Sequence, residues 1–456
     1  MIEVREPAAP ERVVGRFTTL DSEEIRALVA RSAAAQRGWA GDAAARSRAL
    51  GGWAAAVEAD ATSLAELLAR EVGKPIAEAR GEVARGVAIL RYYAQAAFDP
   101  EASIYPAPGG DGQLIVERHP IGVVAAVCPW NFPVAIPLWK SAPALAVGNS
   151  VIVKPSSAAL CTAFRLIELA AAHLPEGVLS MAPLSGSSVG ELLAAPGVQA
   201  VSFTGSVATG RGIVERAARR GIPVQAEMGG QNPAIVLADA DLDSAAATIA
   251  GAAMSYAGQK CTATSRVIVE RSVATRFQDL LVGRIEALHV GDPLADDTVV
   301  GPLISSPARQ NVVDAVLGAT SRGAQLLAGG HSIARSGWFH EPTLLKVGDP
   351  HDPIAQEETF GPIAVFMVAD TAEQACRIAD DTPYGLVAAI YSRDVDRARR
   401  LAAGLAVGMV RINAPTTGVD YHVPFGGEKA SSYGPREQGR AALSFYSRTR
   451  TVFVHR

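Results

Sequence analysis

Apolar residues recur at a spacing near 3.6 through much of residues 21–100, beginning with the run "DSEEIRALVARSAAAQRGWA". Asp21 or Ser22 stands where a helix N-cap belongs, and acids follow in the first turn, so the stretch predicts mostly helix. From Pro120 the pattern changes. Short β-rich runs, "GVVAAV", "SVIVKP", "AVSFTGS" and "IPVQAEM", alternate with helix-like stretches such as "SSAALCTAFRLIELAAAHL" and "VATGRGIVERAARRG". A second series follows, "NPAIVLA", "SRVIVE", "IAVFMVAD", "LVAAIYS" and "GMVRIN", with helical segments between most of them. Such alternation implies βαβ units and largely parallel sheets, here two α/β units joined near residue 230. "QLIVERHP" alternates like a strand, and "GEKASSYGPREQG" is the most loop-like long segment.

Composition narrows the class. A chain of 456 residues is too long for one hydrophobic core, so two or more domains are expected. Hydrophobic residues at 49% and charged residues at 19% suit a compact soluble protein and exclude a disordered one. A net charge of -4 argues against a nucleic-acid partner and supplies no basic field for a membrane surface. No stretch approaches the roughly 18 uninterrupted apolar residues of a membrane helix. The start, "MIEVREPAAPERVVG", lacks the apolar core of a signal peptide. None of Cys128, Cys161, Cys261 and Cys376 is spaced as C-x-x-C, which leaves metal and disulfide readings poor and a reducing cytoplasm expected.

Within "YAGQKCTATSR", Cys261 reads either as a small buried hydrophobe or as a nucleophile. A thiolate needs its pKa lowered, which Lys260 and nearby amides could do, and needs donors for the oxyanion it creates. "CPWNFPVAIP" offers Asn131 just beyond an apolar strand, as an oxyanion donor or as the cap of a helix starting at Phe132 or Pro133. "AEMGGQNP" sets Glu227 at a strand end before two glycines, as a desolvated general base or as a surface glutamate. In "SFTGSVATG", Gly205, Ser206 and Gly210 lie where a strand turns into a helix whose amino terminus would favour a phosphate. Lys154 in "VIVKPSS" reads as a donor to a ribose or phosphate, or as a solvated lysine.

Together, "PWNFP", "KPS", "FTGS", "EMGGQNP", "GQKC", "EETFGP" and "PFGGEK", in that order over roughly residues 20–456, resemble the aldehyde dehydrogenase superfamily. Among its members the chain is most similar to dehydrogenases of small semialdehydes, those of α-ketoglutarate semialdehyde and succinate semialdehyde included. The resemblance implies two Rossmann-like doubly wound parallel-sheet domains and a small β-flap. Residues 1–101 and 121–227 would bind NAD(P), 228–435 would be catalytic, and 102–120 with 436–456 would oligomerise the chain as a dimer or tetramer. A terminal strand near "TVFV" would cross to a neighbouring subunit.

The same resemblance implies Cys261 as nucleophile, Asn131 as oxyanion amide and Glu227 as the base that activates water. For an NAD or NADP cofactor it implies Lys154 at the adenosine ribose, Gly205 and Ser206 at the pyrophosphate, and Glu358 and Phe360 at the nicotinamide, with Trp130, Ser157 and Gly210 beside them. Lys140 and Glu437 match a pair with a proton-relay or structural role. Phe132, Trp139, Lys260, Tyr421 and Phe425 are candidates for the tunnel of a small-molecule aldehyde, and no metal is expected.

Three positions depart from the family pattern. Ser157 stands where a ribose-binding Glu is frequent, which removes repulsion against a 2′-phosphate and opens the site to NADP. Tyr256 stands for the usual Asn five residues before the cysteine. Ser255 stands where some succinate semialdehyde enzymes carry Arg, leaving Lys260, Arg411 and His422 as candidates for a substrate carboxylate. Glu227 weighs against a CoA-acylating relative, and Cys261 with Asn131 weighs against a silent binding protein. No His shows a recognisable relation to Cys261, which weighs against a cysteine hydrolase.

Overall fold

Asp21 caps the first helix, Ser22–Trp39, by accepting from the Glu23 and Glu24 amides, while the Glu24 side chain returns to the Asp21 amide. Helices Ala43–Ala59, Ala61–Val72 and Ile76–Ala96 complete the expected helical stretch. The computed structural model describes residues 1–99 and 102–455, so the expected boundary at 101 and the last residue of the expected 436–456 element lie outside the described residues.

A six-stranded sheet follows. Val123–Val127 lies inside it, with Ser150–Lys154 then Leu179–Met181 on one side and Val198–Thr204 then Val224–Glu227 on the other. These five strands are parallel. The chain therefore reverses its winding direction next to Val123–Val127, and the crevice beyond the carboxyl ends there is where such sheets take ligands. Ser432–Tyr433 adds an antiparallel edge against Val224–Glu227, so the segment expected to be loop carries a short strand.

The second sheet has seven strands, in the order Gln325–Ala328, Thr343–Lys346, Ile363–Ala369, Thr264–Glu270, Asn232–Val236, Val387–Tyr391 and Met409–Ile412. All neighbours are parallel except the first pair. Ala234, Ile235, Val236, Val267, Ile268 and Val269 at its centre are buried, as a sheet with helices on its faces requires. The chain passes from the first sheet to the second between Glu227 and Asn232.

Ala102–Pro106, Gly112–Pro120 and Ser447–His455 form a separate antiparallel sheet, with the terminal strand paired to its own chain over its whole length. An unexpected hairpin, Ile2–Glu6 with Ala9–Phe17, opens the chain. Its Pro7 carbonyl accepts from the Trp338 amide, so the hairpin reaches residues beside the second sheet. Among the described residues no helix is long and apolar enough to cross a membrane.

Candidate active site

Chain order brings the carboxyl ends of the first sheet towards the amino ends of the second. Asn131 follows the strand Val123–Val127, and Glu227 ends the strand Val224–Glu227. Cys261 precedes the strand Thr264–Glu270. Asn131 does not cap a helix: the helix Ala135–Val147 begins later, with Val134 at its cap and no side-chain cap bond. Instead its buried amide Nδ2 donates to the Gln259 carbonyl at 3.1 Å, two residues from Cys261.

The loop that carries Cys261 is held in an unusual shape. Tyr256, Ala257 and Gly258 have φ of 55°, 52° and 66° in succession, a region that costs non-glycine residues energy unless neighbours enforce it. Gly258 has no alternative, because a Cβ there would come 2.1 Å from the Gly361 carbonyl oxygen. The enforcement comes from buried amides. Gln259 donates to the Tyr256 and Pro302 carbonyls and accepts from the Ile304 amide. Asn232 donates to the Cys261 and Ala263 carbonyls, each at 2.8 Å.

The double glycine of "EMGGQNP" has a steric reason. A Cβ on Gly229 would sit 2.0 Å from a Glu358 carboxylate oxygen, and one on Gly230 would sit 2.8 Å from the Cys261 carbonyl oxygen. Both groups approach because the side chains are missing. The Gly230 amide then donates to Glu358 at 3.0 Å. Burial raises the Glu358 carboxyl to about 7 against that bond.

Cys261 itself is a protonated thiol. Burial pushes it up to about 12, and Glu358, Glu227 and Glu437 push the same way, while its own backbone N–H opposes them. Lys260 does not lower it as the sequence suggests. Its ammonium is held by Glu78 at 2.8 Å and by the Ser255 hydroxyl at 2.7 Å.

Glu227 is buried. Ser432 donates to its Oε2 at 2.5 Å, and among the described residues Oε1 has no hydrogen-bond partner. Burial raises its pKa well above the ordinary value and Glu437 adds to the rise, against Ser432, Lys140 and Arg436. Lys140 and Glu437 are themselves a buried ion pair, joined by Ser202, which accepts from Lys140 at 2.9 Å.

Two cavities border the 128–135 segment. One, of about 570 Å³, runs past Cys128, Trp130, Lys154, Ser156, Gly205, Ser206, Thr209 and Arg216. The other, of about 240 Å³, has Cys261 in its wall with Phe132, Trp139, Lys260, Val419, Phe425 and Arg85. Trp130 lines the first and Phe132 the second. Trp130 also meets Phe360 edge-on at 5.6 Å, which sets Phe360 beside that segment.

The larger groove fits a dinucleotide. The Lys154 ammonium is mostly buried, and among the described residues it has no hydrogen bond or ion pair. Gly205 must be small, since a Cβ would lie 2.5 Å from the Phe203 ring. The helix Val207–Arg220 starts there, capped by Ser206, and points its free amides into the groove. Other expected residues fall elsewhere. Gly210 is buried against Met228 and Phe203, away from the lining. Ser157 is outside the lining, and Ser156 takes the place expected for it. Tyr421 meets Tyr92 edge-on and lines a separate groove instead of the thiol pocket.

Asn232, Gln259, Ser432 and Arg85 went unnoticed in the sequence. The first two sit inside "GGQNP" and "GQKC", where their neighbours drew attention. Ser432 and Arg85 carry no local signal at all. Among the described residues no group of His, Cys, Asp and Glu could hold a metal ion.

A ligand groove at the reversal point of one sheet, with a partly buried thiol at the head of another in a neighbouring pocket, is the layout of a dinucleotide-dependent oxidoreductase. The model of the Aldehyde dehydrogenase family matches residues 1–452, and the chain belongs to that family. It is an oxidoreductase that oxidises an aldehyde to the acid with NAD(P). The α-ketoglutaric semialdehyde dehydrogenase of Bacillus subtilis is 39% identical, over 100% of this chain and 94% of the relative. A succinate-semialdehyde dehydrogenase [NADP(+)] of Escherichia coli is 36% identical, over 98% of this chain and 92% of the relative. A betaine aldehyde dehydrogenase of Staphylococcus aureus, solved in complex with NAD+, superposes with a TM-score of 0.96 at 29% identity, covering 99% of this chain and 91% of that one.

Proposed function

We propose that the chain oxidises a small semialdehyde, with Cys261, Asn131 and Glu227 as its chemical groups. One observation carries the reading. The Cys261 thiol faces an open pocket while Glu227 and Glu358 both act electrostatically on that same sulfur. Cys261 passes its proton to a nearby carboxylate and adds to the aldehyde carbon. The oxyanion so formed is held by the Asn131 amide and the Cys261 N–H. As the oxyanion collapses to a thioester the former aldehyde carbon loses its hydride, which NAD(P) would accept; Lys154, Gly205, Ser206 and Glu358 would hold that cofactor. Glu227, made basic by burial, then deprotonates the water that cleaves the thioester and frees the acid. The presence of Glu227 supports water, not CoA, as the acceptor.

Both dinucleotides are proposed as cofactors. Arg216 lines the groove without an ion-pair partner among the described residues, and neither Ser156 nor Ser157 brings a carboxylate to repel a 2′-phosphate. The three-stranded sheet leaves Ile104, Tyr105 and Phe453 exposed, which supports a homodimer or homotetramer. Four free cysteines support a reducing cytoplasm. Absorbance at 340 nm with short aliphatic, aromatic and carboxylated aldehydes, under NAD+ and then NADP+, tests the proposal. The expected result is turnover with both cofactors, fastest on a carboxylated aldehyde and independent of CoA. No reduced cofactor from any aldehyde would end it.

A further inference from the structure

The thiol pocket holds more charge than its apolar wall suggests, and most of it is spoken for. Glu82 pairs with buried Lys74 and accepts from the Val134 and Ala135 amides. Glu78 holds Lys260. Arg411, just outside, pairs with Asp420 at 3.6 Å and donates to the Gly418 carbonyl, and His422 is exposed. None of the three cations expected to meet a substrate carboxylate is therefore a free, sheltered one.

Arg85 is. It rises from the middle of the helix Ile76–Ala96 into the wall of the pocket that also contains Cys261. Among the described residues its guanidinium has no hydrogen bond and no ion pair. It is partly buried, and burial is the largest influence lowering its pKa; Arg411 adds to that, while Asp420 and Glu82 oppose it from beyond contact distance. A sheltered guanidinium left without a partner is costly, since five N–H donors go short. Its planar fork matches a carboxylate. The rest of the wall is suited to a short carbon chain: Phe132, Trp139, Val419 and Phe425 line it apolarly.

We propose that Arg85 binds the distal carboxylate of the aldehyde, so that the pocket selects ω-carboxylated aldehydes by holding one end on Arg85 and the other at Cys261. This rests on the aldehyde-oxidising reading above and assigns its specificity to one residue. It also supplies the cation that Ser255 does not.

Glutarate semialdehyde and pentanal, five-carbon aldehydes with and without the carboxylate, make the test, with Arg85→Ala and Arg85→Lys beside the native enzyme. The ratio of kcat/KM for the carboxylated over the uncharged aldehyde should exceed one in the native enzyme. It should fall about 10- to 100-fold in Arg85→Ala, the range for losing a charged hydrogen-bonded contact. The fall should appear in KM for glutarate semialdehyde, and Arg85→Lys should recover part of it. An unchanged ratio in Arg85→Ala, at a thermal midpoint equal to the native one, would overturn the assignment. So would a fall confined to kcat. Failure of the native enzyme to turn over either aldehyde would instead remove the activity itself, and the assignment with it.

Discussion

Cys261 waits as a thiol in a nest of carboxylates, and that fixes how its reactivity should depend on pH. A raised pKa means that thiolate is scarce at neutral pH and grows about tenfold per unit towards 12. Alkylation of the unliganded enzyme by iodoacetamide should therefore accelerate steadily from pH 7 to pH 10. Glu358 is the foremost of the charges that raise it. Glu358→Gln should move the alkylation profile to lower pH; a profile that stays in place would mean that Glu358 does not contribute to raising the thiol. Glu227 makes a separable prediction. With Gln there, the thioester should form but not hydrolyse, so rapid mixing should give a burst of reduced cofactor followed by slow turnover. Equal slowing of both phases would move the base role to another group.

At the scale of the element, the helix Ala135–Val147 and the loop before it depend on a residue from a different helix. Val134 provides no side-chain cap, and Glu82 supplies one by accepting from the Val134 and Ala135 amides at 2.8 and 2.9 Å. Its other oxygen pairs with Lys74, whose ammonium lies over the rings of Phe132 at 3.8 Å and Tyr256 at 4.6 Å. One buried pair thus ties the Asn131 loop to the Cys261 loop. Tyr256, a departure from the family pattern, is part of that tie, and its hydroxyl donates to the Val72 carbonyl. Glu82→Gln would strand a buried ammonium, at a cost of roughly 3–5 kcal/mol. Calorimetry should show a fall of several degrees in Tm, accompanied by lower kcat; a variant with native Tm would show that the pair is not the tie.

For the whole molecule, the question is what covers the three-stranded sheet. Ala102–Pro106 is exposed throughout, and Phe453 is 54% and Ile104 65% exposed. Exposed apolar strands of this kind are a liability unless another surface covers them. Phe453→Arg should shift the proposed dimer or tetramer towards monomer in size-exclusion chromatography with light scattering. A native enzyme that runs as a monomer, or a variant that keeps a native oligomeric mass, would remove this sheet from the proposed interface.

Periodicity and turn chemistry made the two α/β units legible, because each strand run and each helical run buries its own apolar face. The wider order of motifs marked Cys261, Asn131, Glu227 and Lys154, since each lies at the end of a strand or in the turn beside one. Short strands were not legible: Ser432–Tyr433 has no pattern of its own and pairs only because Val224–Glu227 presents an open edge. The charges around the thiol are not legible either, for a related reason. Lys260 is its neighbour in sequence, yet Glu358, Glu227 and Glu437 are the charges that bear on it, brought in from three distant segments. What the sequence by itself determined is therefore the elements and the candidates for the reactive groups, which depend on local spacing. Only the tertiary structure decided which charges are spent on each other and that Arg85, unpaired among the described residues, is left facing the pocket, because a partner is a matter of distance in space.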